Sequence, residues 1–288
     1  MKNIKNIKFA LAVAALAVSA AEMIEFGKIY MAQIVSNAQA LGAALAKRGA
    51  VVVTFNYRSG LMGFLGHPAL TKESEHGFSS NYGVLDMIAA LRWIKTNIKA
   101  FGGNPTSITV FGCSAGSAGI GLLLVSPLAN GLFDRVILES PGSFRPLASL
   151  GDSEKAGLML GNDLAAMRAM TWQQVLERQP DFIPKMRGLT TPRVLRPIRD
   201  GYVIPLDEAD AVAAGKFNKV PILVGSQIDE GTPFIGGWPI KTLDDYRKLA
   251  EENFSAKNAV KDALEVFPAK TEADIKSGLA SMFGDAQF

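Results

Sequence analysis

Residues 109–119 read TVFGCSAGSAG, a β-branched run that ends in Gly112-Cys113-Ser114-Ala115-Gly116 and passes into small residues. A serine between two glycines, where a strand gives way to a helix, suits nucleophilic chemistry. The sharp turn lifts the hydroxyl above the sheet edge, and the flanking glycines clear the turn without a Cβ. The Ala115 N–H, at the helix N-terminus, can then help hold a developing oxyanion. Two other readings use the same residues. Gly112, Gly116 and Gly119 resemble a phosphate or dinucleotide loop, but their spacing is not that of the G-x-G-x-x-G fingerprint. Close packing of small residues is the second, and it leaves the serine at the apex without a reason. The nucleophile elbow accounts for serine and glycines together.

The elements that must position Ser114 are visible around it. Residues 37–47 have helical periodicity and close on Arg48-Gly49. Residues 50–55 (AVVVTF) form a continuous apolar run of strand length, as expected of a parallel strand covered on both faces. Residues 56–82 are rich in Gly, Ser and Pro and read as a long loop. Residues 84–98 then read as a helix, 107–111 (SITVF) as a strand, the chain after Gly119 as a helix and 135–138 as a strand. Residues 151–199 form a more polar, helical excursion with several Met, Gln and Arg. The run 220–224 returns as a buried strand, with the acidic turn Asp229-Glu230-Gly231 behind it and helical sequence beyond. Strands alternating with helices predict a mainly parallel sheet.

Composition narrows the function classes. A chain of 288 residues, 48% apolar, can bury a sizeable core. Its 30 basic and 27 acidic side chains give a net charge of +3 with the signs interspersed, and no run of like charge marks a nucleic-acid surface. Cys113 is the sole cysteine, which excludes an internal disulfide and a cysteine metal cage; two histidines, His67 and His76, speak against a histidine-rich metal site. The start MKNIKNIK is basic, FALAVAALAVSA is apolar but too short to span a bilayer, and Val18-Ser19-Ala20 supplies small residues. Together they predict a secretory signal over residues 1–20 and a secreted or periplasmic protein, against the plainer reading of a buried amphipathic helix.

The stretches VVVTFNYRSG (51–60), GFL (63–65), NYGVLD (81–86), FGGNP (101–105), ITVFGCSAG (108–116), SPLANGLF (126–133), VPILVG (220–225) and DEGTPF (229–234) stand in one order along the chain. In that order the sequence resembles the type-B carboxylesterases, the α/β-hydrolase family that includes the cholinesterases. The resemblance implies an α/β fold of α/β-hydrolase type, a mainly parallel central sheet with helices on both faces, present in incomplete form over residues 21–288. It implies that Ser114 is the nucleophile, Glu230 the triad acid and the Ala115 backbone N–H an oxyanion donor. By itself Glu230 reads as a solvated turn carboxylate beside Asp229. The implied activity is hydrolysis of small-molecule carboxylic esters through an acyl-enzyme on Ser114. No cofactor, metal, nucleic acid or stable membrane anchor is implied.

The sequence departs from the family in named places. Cys113 stands where many members carry an acidic residue, and Ser117 where many carry glycine. No His-Gly-Gly-Gly oxyanion run occurs between Met23 and Ala46, and His67 and His76 do not stand where the family has its catalytic histidine. The chain is therefore expected to be truncated at both ends relative to the family, with sheet edges open to self-association. The alternative to an esterase is a non-catalytic fragment or binding module of the same fold.

Overall fold

The computed structural model of the chain describes residues 32–33, 36–37, 39–142, 144–183, 189, 192–254 and 259–287. The segment expected as a secretory signal lies outside them. The chain divides into two compact units, one of residues 1–54 and 100–103, the other of residues 55–99 and 104–288.

In the first unit residues 39–46 are helical, and Gly49, at φ 86°, closes the helix with its N–H donated to Ala46 O at 2.9 Å. That positive φ is why the helix ends on a glycine. Residues 50–55, expected as a strand, form none, and Val51, Val53 and Phe55 are exposed. A β-branched apolar run supplies strand propensity only. A strand also needs a neighbour for its backbone donors and acceptors, and no strand is described within the first unit, which holds residues 50–54 of the run.

The second unit holds a three-stranded parallel sheet in the order β1 (Thr109–Cys113), β2 (Arg135–Glu139), β3 (Ile222–Gly225). Its helices are α1 (Gly60–Phe64), α2 (Pro68–Glu73), α3 (Tyr82–Asn97), α4 (Ala115–Val125), α5 (Leu150–Gly157), α6 (Leu164–Ala169), α7 (Trp172–Arg178), α8 (Glu208–Ala213), α9 (Leu243–Asn253), α10 (Ala259–Val266) and α11 (Ile275–Gln287). β1 lies two residues later than the periodicity suggests, so it runs without a break into Ser114, and α4 starts on the next residue.

The expected loop at 56–82 contains two short helices. α2 begins with Pro68, whose fixed φ and missing N–H suit a first helical turn. Its cap is His67, whose Nδ1 accepts from Ala69 N at 3.1 Å while Nε2 faces Gly161 O at 2.9 Å. A carbonyl only accepts, so the ring proton sits on Nε2. Histidine lies outside the Ser/Thr/Asp/Asn signature that marks helix starts, which is why the sequence did not betray this one.

The core covers one face of the sheet at β1 and β2, whereas on the same face of β3, the strand expected to be buried, Ile222 and Val224 are 47% and 59% exposed. Val84, Met87 and Leu91 of α3 and Ile120 and Leu123 of α4 pack with Val136 and Leu138 of β2. α4 approaches β1 so closely that a Cβ on Gly112 would lie 3.0 Å from the Gly116 carbonyl carbon and 3.2 Å from Ser117 N. The far end of α4 is fixed by Asn218, whose backbone N–H donates to Leu124 O at 2.7 Å and whose Nδ2 donates to Leu123 O at 2.9 Å. Those are carbonyls a helix end otherwise leaves unpaired. On the opposite face Phe111, Ile137 and Leu223 stand in register across the three strands. Phe111 is 45% and Leu223 65% exposed, so among the described residues this face is bare. A second apolar cluster joins Tyr246 and Leu249 of α9 to Leu279, Met282 and Phe283 of α11.

The two elbow glycines are not equivalent. A Cβ on Gly116 would meet nothing within 4 Å, whereas one on Gly112 would press on backbone. Gly112→Ala is expected to destabilise the protein by about 1–3 kcal/mol, and Gly116→Ala to be neutral or stabilising by up to ~1 kcal/mol. Chemical denaturation of both variants checks this; equal losses would mean that the helix can retreat from β1.

Candidate active site

The parallel ladder continues past the ends of the strands. Ser114 N donates to Glu139 O at 2.9 Å, and Ser140 N donates to Gly225 O at 2.7 Å. These bonds hold the C-terminal ends of β1, β2 and β3 in step, and the elbow serine, Ser140 and the turn that carries Glu230 all emerge there. Ser114 has φ 53° and ψ −116°, a region that side-chain-bearing residues rarely adopt and that costs about 1–3 kcal/mol. Ser114 is the N-cap residue of α4, yet its side chain makes no capping hydrogen bond. Its exposed hydroxyl is not committed to the helix it precedes. Ala115, next in line, is the first residue of α4; its N–H has no acceptor within the helix and lies at the positive end of the helix dipole.

Glu230 follows β3 in a turn held by three elements. Ser140, itself at φ 48°, donates its Oγ to Glu230 Oε1 at 2.5 Å, and Gln227 N donates to the same oxygen at 2.7 Å. Neither bond engages Oε2. The turn is pressed onto α11, since a Cβ on Gly231 would fall 1.8 Å from Ala280 O. The carboxylate is therefore half-buried and braced rather than a freely solvated turn group. The ends of β1 and β3 are separated by β2, so Ser114 and the Glu230 turn leave the sheet two strand spacings apart, about 10 Å. Such a gap fits an imidazole between hydroxyl and carboxylate better than a direct contact.

The two histidines are engaged elsewhere. His67, 2% exposed, caps α2, and His76 stacks on Tyr202 with ring centroids 4.1 Å apart. Among the described residues no group of His, Cys, Asp and Glu is arranged to hold a metal ion, and no helix is long and apolar enough to cross a membrane.

A cavity of about 240 Å³ adjoins the elbow, with Ala115, Ala118 and Gly119 of α4 forming one wall and Tyr57 and Ser59 another. The second wall is fastened by Arg58, whose backbone N–H and Nε donate to Asp86 Oδ2, both at 2.9 Å, and whose Nη2 donates to Oδ1 at 2.8 Å. The hydrogen bond from Arg58, ahead of other causes, holds the Asp86 carboxyl below the usual carboxylate range. A buried polar network braces the region from below. Asn81 donates to Ile198 O and Asp200 Oδ2, and Asp200 Oδ1 accepts from Tyr202 N and Ile204 N. Burial pushes the Asp200 carboxyl up despite those bonds.

Ser114, Ala115 and Glu230 were legible in the sequence as candidates, whereas Ser140 was not. It sits ninety positions from Glu230, and nothing in its local sequence marks it. The same holds for the three arginines that line the cavity, Arg145, Arg193 and Arg196. The arginines of residues 151–199 were the only hint of Arg193 and Arg196, and nothing marked Arg145.

Parallel strands feeding helices, with a serine at positive φ on the first strand-to-helix turn, are the arrangement of an α/β-hydrolase. The model of the Carboxylesterase family matches residues 26–283, and the chain belongs to that family. It is 49% identical over 248 residues to a fumonisin B1 esterase of Sphingopyxis macrogoltabida, across 86% of this chain and 45% of that protein. It is 33% identical to a para-nitrobenzyl esterase of Bacillus subtilis (strain 168), across 81% of this chain and 48% of the relative. The figures for an acetylcholinesterase of Bungarus fasciatus are 33% identity, 71% and 35%. The chain thus spans less than half the length of each of these curated relatives.

The Ser140–Glu230 bond is charge-assisted and part-buried, so Ser140→Ala is expected to cost about 1–2 kcal/mol. In a double-mutant cycle most of that loss should vanish in the Glu230→Gln background. Additive losses would place the contribution of Ser140 elsewhere.

Proposed function

We propose that the site is the nucleophile and acid portion of a carboxylic ester hydrolase. In this reading Ser114 Oγ attacks the ester carbonyl carbon, the alcohol departs, and water releases the acid from the acyl-serine. The observation that carries it is the Ser114 backbone, held at a strained φ between β1 and α4 with its hydroxyl exposed and not capping the helix. Ala115 N–H would take part of the oxyanion charge. Glu230, braced through Oε1, would orient an imidazole and stabilise its protonated form through Oε2. That imidazole belongs to neither His67 nor His76, both engaged elsewhere. A serine hydroxyl without a base is a weak nucleophile, and each oxyanion donor lacking costs roughly 3 kcal/mol, or two to three decades in rate. Turnover by these residues alone is therefore expected to be slow. The basic and apolar start, residues 1–20, supports export of the protein; a mature N-terminus just after Ala20 on protein recovered outside the cytoplasm would bear this out, and an intact Met1 would not.

The test is covalent labelling of the purified chain with a fluorophosphonate, with Ser114→Ala as control and p-nitrophenyl acetate turnover alongside. Labelling that disappears in the variant, with slow serine-dependent turnover, is the expected outcome. A folded chain that takes no label would favour a non-catalytic binding module of the same fold.

A further inference from the structure

The bare face of the sheet carries a charge pattern of its own. Along β2 Val136 and Leu138 are buried in the core, so Arg135, Ile137 and Glu139 stand on the opposite face. The register sets Phe111 and Leu223 on either side of Ile137, with Thr109 beside Arg135 and Cys113 beside Glu139. The face is thus an apolar row with a cation at one end and an anion at the other, about 13 Å apart along β2. Arg135 and Glu139 are both exposed. Among the described residues the Arg135 side chain has one partner, Ser107 Oγ, to which Nη1 donates at 3.2 Å, and the Glu139 carboxylate has none. Such a pattern is complementary to itself. A two-fold axis between two of these faces, at right angles to the strands, lays each strand antiparallel over its own copy. It sets the apolar row against itself and Arg135 of each copy against Glu139 of the other. An axis along the strands would instead set Arg135 against Arg135 and Glu139 against Glu139. Charge therefore selects the antiparallel stack. Stacked sheets lie about 10 Å apart, a gap that an arginine and a glutamate side chain bridge between them.

We propose that this face docks a second copy of the chain, sheet on sheet and antiparallel, in a dimer with an Arg135–Glu139 pair on each side of its two-fold axis. Three strands of this length span about 15 by 17 Å, roughly 300 Å² per copy, against the ~800 Å² per partner of a standard stable interface. The dimer is therefore weak, with a dissociation constant on the order of 100 μM. The contact differs from strand pairing at the sheet edges, β1 and β3, and it does not depend on the esterase reading of Ser114.

Sedimentation equilibrium of the unmutated chain over about a hundredfold range of concentration is expected to show monomer and dimer in equilibrium, with the dimer weakened by added salt. Arg135→Glu and Glu139→Arg each turn both attractive pairs into repulsive ones, so each variant alone should dimerise at least about tenfold more weakly. Mixed in equal amounts, the two variants meet with opposite charges at both pairs. The mixed dimer should then recover an affinity within about threefold of the parent. A parent chain that stays monomeric throughout, or a mixture that associates no better than either variant alone, would overturn the proposal. Self-association indifferent to both substitutions would overturn it too, and would place the contact at a sheet edge. Should either charge reversal prevent folding, Arg135→Gln and Glu139→Gln take their place. Each should weaken the dimer about threefold and remove most of its salt dependence, whereas unchanged affinity and salt dependence would rule out the stack.

Discussion

The approach of α4 to β1 is the constraint on which the rest of the site depends. At Gly112 the strand passes within van der Waals range of the backbone at Gly116 and Ser117, leaving no room for a Cβ. A strand and a helix that close can be joined only by a very short connection, and here it is the single residue Ser114. Its φ of 53° is the geometric consequence. The strain is local, about 1–3 kcal/mol, and is held by packing on both sides: the ladder from Ser114 N to Glu139 O before it, and the buried run Ile120–Val125 after it. Asn218 at the far end of α4 keeps the helix from sliding.

From that junction the parallel ladder carries order across the sheet. Each strand end passes a hydrogen bond to the next, so the elbow serine, Ser140 and the turn behind β3 share one rim. Ser140 then converts backbone order into side-chain order by holding one oxygen of Glu230. α11 closes the arrangement from outside the sheet, because Gly231 fits against Ala280 only without a side chain. A carboxylate fixed in this way loses little entropy when it takes up a cationic partner, which is what an orienting acid requires.

The uncovered face sets a contrast with the site. Phe111, Ile137 and Leu223 form an apolar row in register, and only Ile137 is as much as half-buried. The other face is covered by side chains from α3 and α4 over β1 and β2, while Ile222 and Val224 of β3 stay exposed. One face of the sheet thus supports the elbow, while the described residues leave the other open.

What the sequence determined by itself was local. The strand and helix around Ser114, the glycine demanded by the close crossing and the parallel character of the sheet all followed from short-range patterns, because nucleophile elbows and βαβ units are written in contiguous residues. Local pattern misjudged three places: residues 50–55, where propensity is high but no ladder partner is described, α2, whose start depends on a histidine ring acting as a cap, and β3, whose apolar run reads as buried yet is exposed along its length. Only the tertiary structure joined Ser140 to Glu230, set the Glu230 turn on α11 and gathered Arg145, Arg193 and Arg196 around one cavity. Those contacts link residues far apart in the chain, and a side chain's partner across such a distance is fixed by how the sheet and helices pack, not by the residues beside it.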